Sequence, residues 1–85
     1  LRVLLAEDNC VNRQIAGAFL ERAGCRVDTV GDGQAALDAL ARAEYSLVLM
    51  DVQMPVLDGL AATAEIRRLE QALGRAARVP VIALT

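Results

Sequence analysis

Tyr45-Ser46-Leu47-Val48-Leu49-Met50-Asp51 is the stretch on which the reading of the fold turns. It is a nearly continuous apolar run that ends on an acid. Such a run fits a central strand of a parallel sheet, covered by helices on both faces, better than a surface strand with one wet side. If that reading holds, the segments on either side of it should alternate between helix and strand.

Toward the N-terminus they do. Gly31-Asp32-Gly33 reads as a turn, with Asp32 able to cap a helix over Gln34–Ala43 whose apolar side carries Leu37 and Leu40. Cys25–Val30 alternates polar and apolar residues, the period of a half-exposed edge strand. Before it, Val11, Ile15, Ala18 and Phe19 fall on one helical face, while Arg13, Gln14, Glu21 and Arg22 suit the other side. Gly24 stands where the end of that helix favours a residue able to adopt positive φ. Arg2–Ala6 is a first short strand, and it runs into Glu7-Asp8-Asn9.

Toward the C-terminus the alternation continues. Pro55 argues against helix through Val52–Asp58, and Asp58-Gly59 opens a third helix with Ala62, Ile66, Leu69 and Leu73 on its apolar stripe. Gly74 and the polar Arg75–Arg78 close it, and Val79–Leu84 is a fourth strand that tolerates Pro80 near its start. Strands alternating with helices imply right-handed crossovers and a doubly wound parallel α/β sheet. In such sheets ligands bind beyond the carboxyl ends of the strands.

Composition narrows the function classes. A chain of 85 residues allows a single domain over 1–85, and its apolar residues nowhere form a run long enough to span a membrane. The net charge is −2, and Tyr45 and Phe19 are its only aromatic residues, so a basic, base-stacking surface for nucleic acid is not expected. Cys10 and Cys25 have no CxxC spacing and no histidine to support a zinc site. Both read as small packing residues, with reactivity near a helix N-terminus the alternative for Cys10. Reduced thiols and a cytoplasmic location are the expectation.

The strand tips carry the chemistry. Glu7 and Asp8 follow the first strand and Asp51 ends the third. Singly, each such acid is more often a solvated carboxylate or a helix cap. If the two strands are adjacent, the three converge, and clustered carboxylates are costly unless they share protons or a cation neutralises them. Oxygen-only donors favour a hard cation, Mg²⁺ before zinc, and Mg²⁺ typically completes its shell with water and phosphate oxygens. That points to a phosphoryl site in which Asp51 is the nucleophile. Thr85 would end the fourth strand at the same edge, where its hydroxyl could bond a phosphoryl oxygen. With no histidine in the chain, the phosphoryl group must come from elsewhere.

At this point a resemblance enters. Glu7-Asp8-Asn9, Met50-Asp51-Val52-Gln53-Met54-Pro55, Asp58-Gly59 and a small apolar strand ending in Thr85 resemble the receiver (response-regulator) domain of two-component signalling. Glu7-Asp8-Asn9-Cys10-Val11-Asn12-Arg13 further resembles receivers attached to hybrid sensor histidine kinases. The resemblance implies a flavodoxin-like sheet of order 2-1-3-4-5. It also implies Asp51 as phosphoacceptor, with Asp8, Asp51 and the backbone carbonyl of Gln53 as direct Mg²⁺ ligands. Glu7 would hold the metal through water, and Thr85 would be the switch hydroxyl. Met54 and Pro55 would shape the loop, and Asp58 and Gly59 would start the next helix. The implied partner is a histidine kinase or a histidine phosphotransfer domain, and the implied setting is a phosphorelay.

The chain also departs from the family pattern. Receivers continue past the threonine through a fifth strand ending in Lys and further helices, and this sequence has no Lys and stops at Thr85. The expectation is therefore a receiver incomplete at its C-terminus, prone to dimerise or associate through a bared sheet edge. A degenerate, unphosphorylated scaffold docking partners through its first helix is the alternative. A Mg²⁺-dependent phosphatase fragment is disfavoured, because those sites usually carry a second Asp where Gln53 stands.

Overall fold

The computed structural model describes residues 1–51, 59–75 and 78–84. Among them the order is β1 (Arg2–Ala6), α1 (Cys10–Arg22), β2 (Arg26–Val30), α2 (Gly33–Arg42), β3 (Leu47–Asp51), α3 (Gly59–Ala72) and β4 (Val81–Leu84). The strands form one parallel sheet in the order β2-β1-β3-β4, so the apolar run ending at Asp51 is indeed central and Arg26–Val30 lies at an edge.

Local chemistry sets the element ends. Asn9 caps α1 by accepting from the Asn12 N–H at 3.0 Å, and Asp32 caps α2 by accepting from the Ala35 N–H at 2.7 Å. Gly24 after α1 and Gly74 after α3 take φ of +89° and +69°, the left-handed geometry that ends helices at low steric cost in glycine. At the amino-terminal edge of the sheet, Arg2 and Tyr45 both donate to Asp28, at 3.1 and 2.8 Å, and the Arg2 guanidinium lies 4.9 Å from the Tyr45 ring centre. This cluster ties together the start of β1, the middle of β2 and the approach to β3.

Side chains alternate across the sheet, and the two faces are covered unequally. Leu4, Ala6, Val48 and Met50 are buried in one core with Ala36, Ala39 and Leu40 of α2 and Ala62 and Ile66 of α3. On the other face Val3 and Leu5 are fully buried, but Leu47 and Leu49 are only half-buried. The expectation of burial on both faces of β3 therefore holds on one. The reason is that α1 packs mainly on β2 and β1 and leaves the far half of that face open.

Two helices turn differently from their periodicity. Val11, Ile15 and Phe19 of α1 are 60%, 66% and 73% exposed, while Gly17 is buried and Arg13, Ala16 and Leu20 are half-buried around it. The apolar stripe exists, but a neighbouring stripe faces the sheet. In α3 the inward line runs Ala62, Ile66, Glu70, and the expected Leu73 is 48% exposed. Leu69 packs against the core as expected, and Glu70 beside it is a buried acid that the stripe did not include.

Candidate metal and phosphoryl site

The site follows from sheet register. Ala6 of β1 pairs with Met50 of β3, so Glu7 and Asp51 leave the sheet side by side. One carboxylate oxygen from each of Glu7, Asp8 and Asp51 lies within 4.8 Å of the other two. The convergence expected from the strand tips is what the fold produces. Asp8 is exposed, whereas Glu7 and Asp51 are half-buried.

Crowding leaves an electrostatic mark. Glu7 is pushed above its ordinary value by burial, then by a side-chain hydrogen bond with Asp51, with further upward pressure from Asp8 and from the Asp51 charge; the Asn9 N–H opposes them. Carboxylates crowded this closely are stabilised when a cation lies between them.

The donors fit Mg²⁺. They are all oxygens, and an octahedral shell of radius about 2.1 Å puts opposite ligands about 4.2 Å apart. Carboxylates already within 4.8 Å need only small rotations, or one intervening water, to enter such a shell.

Glu7 is gripped from several directions. Its N–H donates to the Val30 carbonyl at 3.1 Å, and the Arg13 guanidinium donates to its carbonyl at 3.3 Å. The Asn9 N–H reaches Glu7 Oε2 at 3.4 Å, and Asn12 Nδ2 reaches Glu7 Oε1 at 3.3 Å. Arg13 also crosses Gly31 so closely that a Cβ there would lie 2.9 Å from its Nη1. Neither Asn12 nor Arg13 was assigned a role from sequence, although both belong to the stretch that carries the family resemblance. The spacing of five between Glu7 and Asn12, bridged by the Asn9 cap, was the available signal. Gln53, Met54, Pro55, Asp58 and Thr85 lie outside the described residues.

Fold and site together define a doubly wound α/β module with an acidic cluster at the carboxyl ends of adjacent central strands. The response regulator receiver domain profile matches residues 3–85, and the chain belongs to that family. It is 45% identical over 71 residues to hybrid signal transduction histidine kinase K of Dictyostelium discoideum, covering 84% of this chain and 6% of that protein. Among solved structures it matches the receiver domain of sensor histidine kinase PA1611 from Pseudomonas aeruginosa, which has a magnesium ion coordinated in its active site cleft. The TM-score is 0.88 at 46% identity, over 99% of this chain and 66% of that one. It also matches the receiver domain of the Saccharomyces cerevisiae response regulator Ssk1, co-crystallised with the histidine phosphotransfer protein Ypd1. There the TM-score is 0.92 at 34% identity, over 100% of this chain and 63% of the matched one. The chain thus spans a small part of the curated kinase and just under two thirds of these solved chains. Among the described residues no helix is long and apolar enough to cross a membrane.

Proposed function

We propose that this chain is a phosphoacceptor receiver that takes a phosphoryl group from a phosphohistidine onto Asp51, with Mg²⁺ bound by Glu7, Asp8, Asp51 and the Gln53 carbonyl. The observation that carries the proposal is the meeting of the three carboxylates at the tips of β1 and β3. Magnesium in the cleft of the PA1611 receiver supports the choice of ion. The Ypd1–Ssk1 complex supports a histidine phosphotransfer domain or a histidine kinase as donor. The setting is a cytoplasmic phosphorelay, and the domain acts as a signalling component rather than as an enzyme in its own right. Residues 1–85 are read as one receiver domain, and they span 66% and 63% of the two matched solved chains.

In the transfer, an Asp51 carboxylate oxygen forms a bond to phosphorus as the P–N bond to the donor imidazole breaks. The imidazole nitrogen leaves with the bonding pair and takes up a proton. Mg²⁺ supplies charge neutralisation for the phosphoryl oxygens. Asp8, on the exposed side, and Asp51 would hold the ion directly, and Glu7 would hold it through water. The Thr85 hydroxyl is assigned to a phosphoryl oxygen, where its movement would report the phosphorylated state.

A docking scaffold that is never phosphorylated is the competing reading, and the exposed Val11, Ile15 and Phe19 face of α1 favours it. Labelling separates the two. With a phosphohistidine donor and Mg²⁺, the chain should acquire an acid-stable, base-labile phosphoryl group that Asp51→Asn abolishes. Equal labelling of Asp51→Asn would remove Asp51 as the nucleophile, and no labelling of the unsubstituted chain would leave the scaffold.

A further inference from the structure

Glu7 is the member of the acidic cluster least determined by the sheet itself. β1 ends at Ala6, so the Glu7 side chain leaves from the strand tip on three rotatable bonds. It has like charges on Asp8 and Asp51 for neighbours, which favour swinging it out into solvent. What opposes that swing comes from α1. Asn9 ends the extended segment and caps the helix, so the first turn folds back and carries Asn12 over the strand tip. There Asn12 Nδ2 donates to Oε1 while the Asn9 N–H donates to Oε2, so both carboxylate oxygens are held from the start of α1.

We infer that Asn12 is a positioning residue for the metal site: its amide holds the Glu7 carboxylate turned toward Asp8 and Asp51. The inference rests on the metal reading above and goes beyond it, because Asn12 is no ligand and acts only through Glu7. Arg13, one residue further along, holds the Glu7 carbonyl and braces against Gly31, so the second half of that turn fixes the backbone while Asn12 fixes the carboxylate. The site is thereby preorganised, and less side-chain freedom is lost when the ion binds. Outer-shell partners of metal ligands are typically worth 10- to 100-fold in affinity, and a loss near the lower end, about tenfold, is expected for this exposed hydrogen bond.

The test is a Mg²⁺ titration, by calorimetry or by amide NMR shifts, of four chains: unsubstituted, Asn12→Leu, Glu7→Ala and the double variant. Asn12 is exposed, and its structural contribution to the cap is its backbone N–H, which leucine retains. Asn12→Leu should therefore fold with an unchanged melting temperature and bind Mg²⁺ about tenfold more weakly. In the Glu7→Ala background the same substitution should change nothing, because the residue through which it acts is gone. Unchanged affinity of Asn12→Leu, or an equal loss with and without Glu7, would overturn the inference while leaving the metal site standing. Failure of the unsubstituted chain to bind Mg²⁺ would overturn both.

Discussion

Replacing Glu70 with Gln is a sharp test of how the fourth strand is held against the phosphoacceptor strand. Glu70 is 5% exposed, accepts from the Val79 N–H at 2.7 Å and from the Arg67 guanidinium at 2.9 Å, and Arg67 in turn donates to the Val79 carbonyl at 2.9 Å. Two side chains of α3 therefore grip both polar groups of one peptide residue. The next residue, Pro80, begins the ladder to β3 by accepting from the Val48 N–H at 2.9 Å. Hydrogen bonds to a buried charge contribute about 1.5–3 kcal/mol each, and a neutral replacement about 1. Gln keeps one carbonyl oxygen for two donors and turns an NH₂ toward the other, so Glu70→Gln should lose about 2–3 kcal/mol. For a domain of this size that is a fall of roughly 8–24 °C in melting temperature. Glu70→Ala should cost about 3 kcal/mol or more, the low end for a broken buried pair, since Arg67 can still reach water.

The pH dependence has a definite sign. Burial alone would raise Glu70, but the Val79 N–H, the Arg67 hydrogen bond and the charges of Arg67 and Arg78 together outweigh it and hold the carboxyl below its ordinary 4.5. A depressed carboxyl stabilises the fold above its unfolded value, and this contribution fades as pH falls through the lower folded value. The gap between the unsubstituted chain and Glu70→Gln, read by thermal melts followed by circular dichroism, should be full at neutral pH and shrink below 4.5. A melting temperature within roughly 2 °C of the unsubstituted chain, or a gap constant from neutral to strongly acid pH, would refute the reasoning.

Two further outcomes bear on the acidic cluster. Asp8→Ala removes a direct ligand and should weaken Mg²⁺ binding by more than the roughly 10- to 100-fold typical of outer-shell losses; unchanged affinity by titration would count decisively against the assignment. Asp51→Asn removes the Asp51 carboxyl acid and charge that help to raise Glu7, so in metal-free solution Glu7 should titrate closer to 4.5, as read from its carboxyl carbon shift; an unmoved titration would deny that the two groups are in contact.

Much of the fold was legible because its strongest signals are one-dimensional. The apolar run into Asp51, the Gly24 and Asp32 punctuation and the alternation of strand with helix all survive without tertiary information. The facing of α1 does not. Periodicity identifies the apolar stripe of a helix, whereas the neighbours decide which stripe is covered, and here the line through Gly17 faces inward while Ile15 and Phe19 stay outside. Glu70 was hidden for a related reason. An acid scores as polar in any pattern, and only the chain returning at Val79 supplies the donors that make its burial tolerable.

The site was legible to the extent that it depends on strand ends, and illegible where it depends on side chains reaching back across a turn. These two parts are joined by the register of the sheet. Leu4 opposite Val48 and Ala6 opposite Met50 put all four side chains into the core shared with α2 and α3. A slip of one residue between β1 and β3 would mismatch these inward-facing pairs, and turning β1 over to restore the pleat would send Leu4 and Ala6 out of that core. Either change would also carry Glu7 out of step with Asp51. The apolar packing of the sheet and the meeting of its acids are therefore one constraint: substitutions that loosen the Leu4, Ala6, Val48 and Met50 layer should damage cation binding even though none of these residues touches the site.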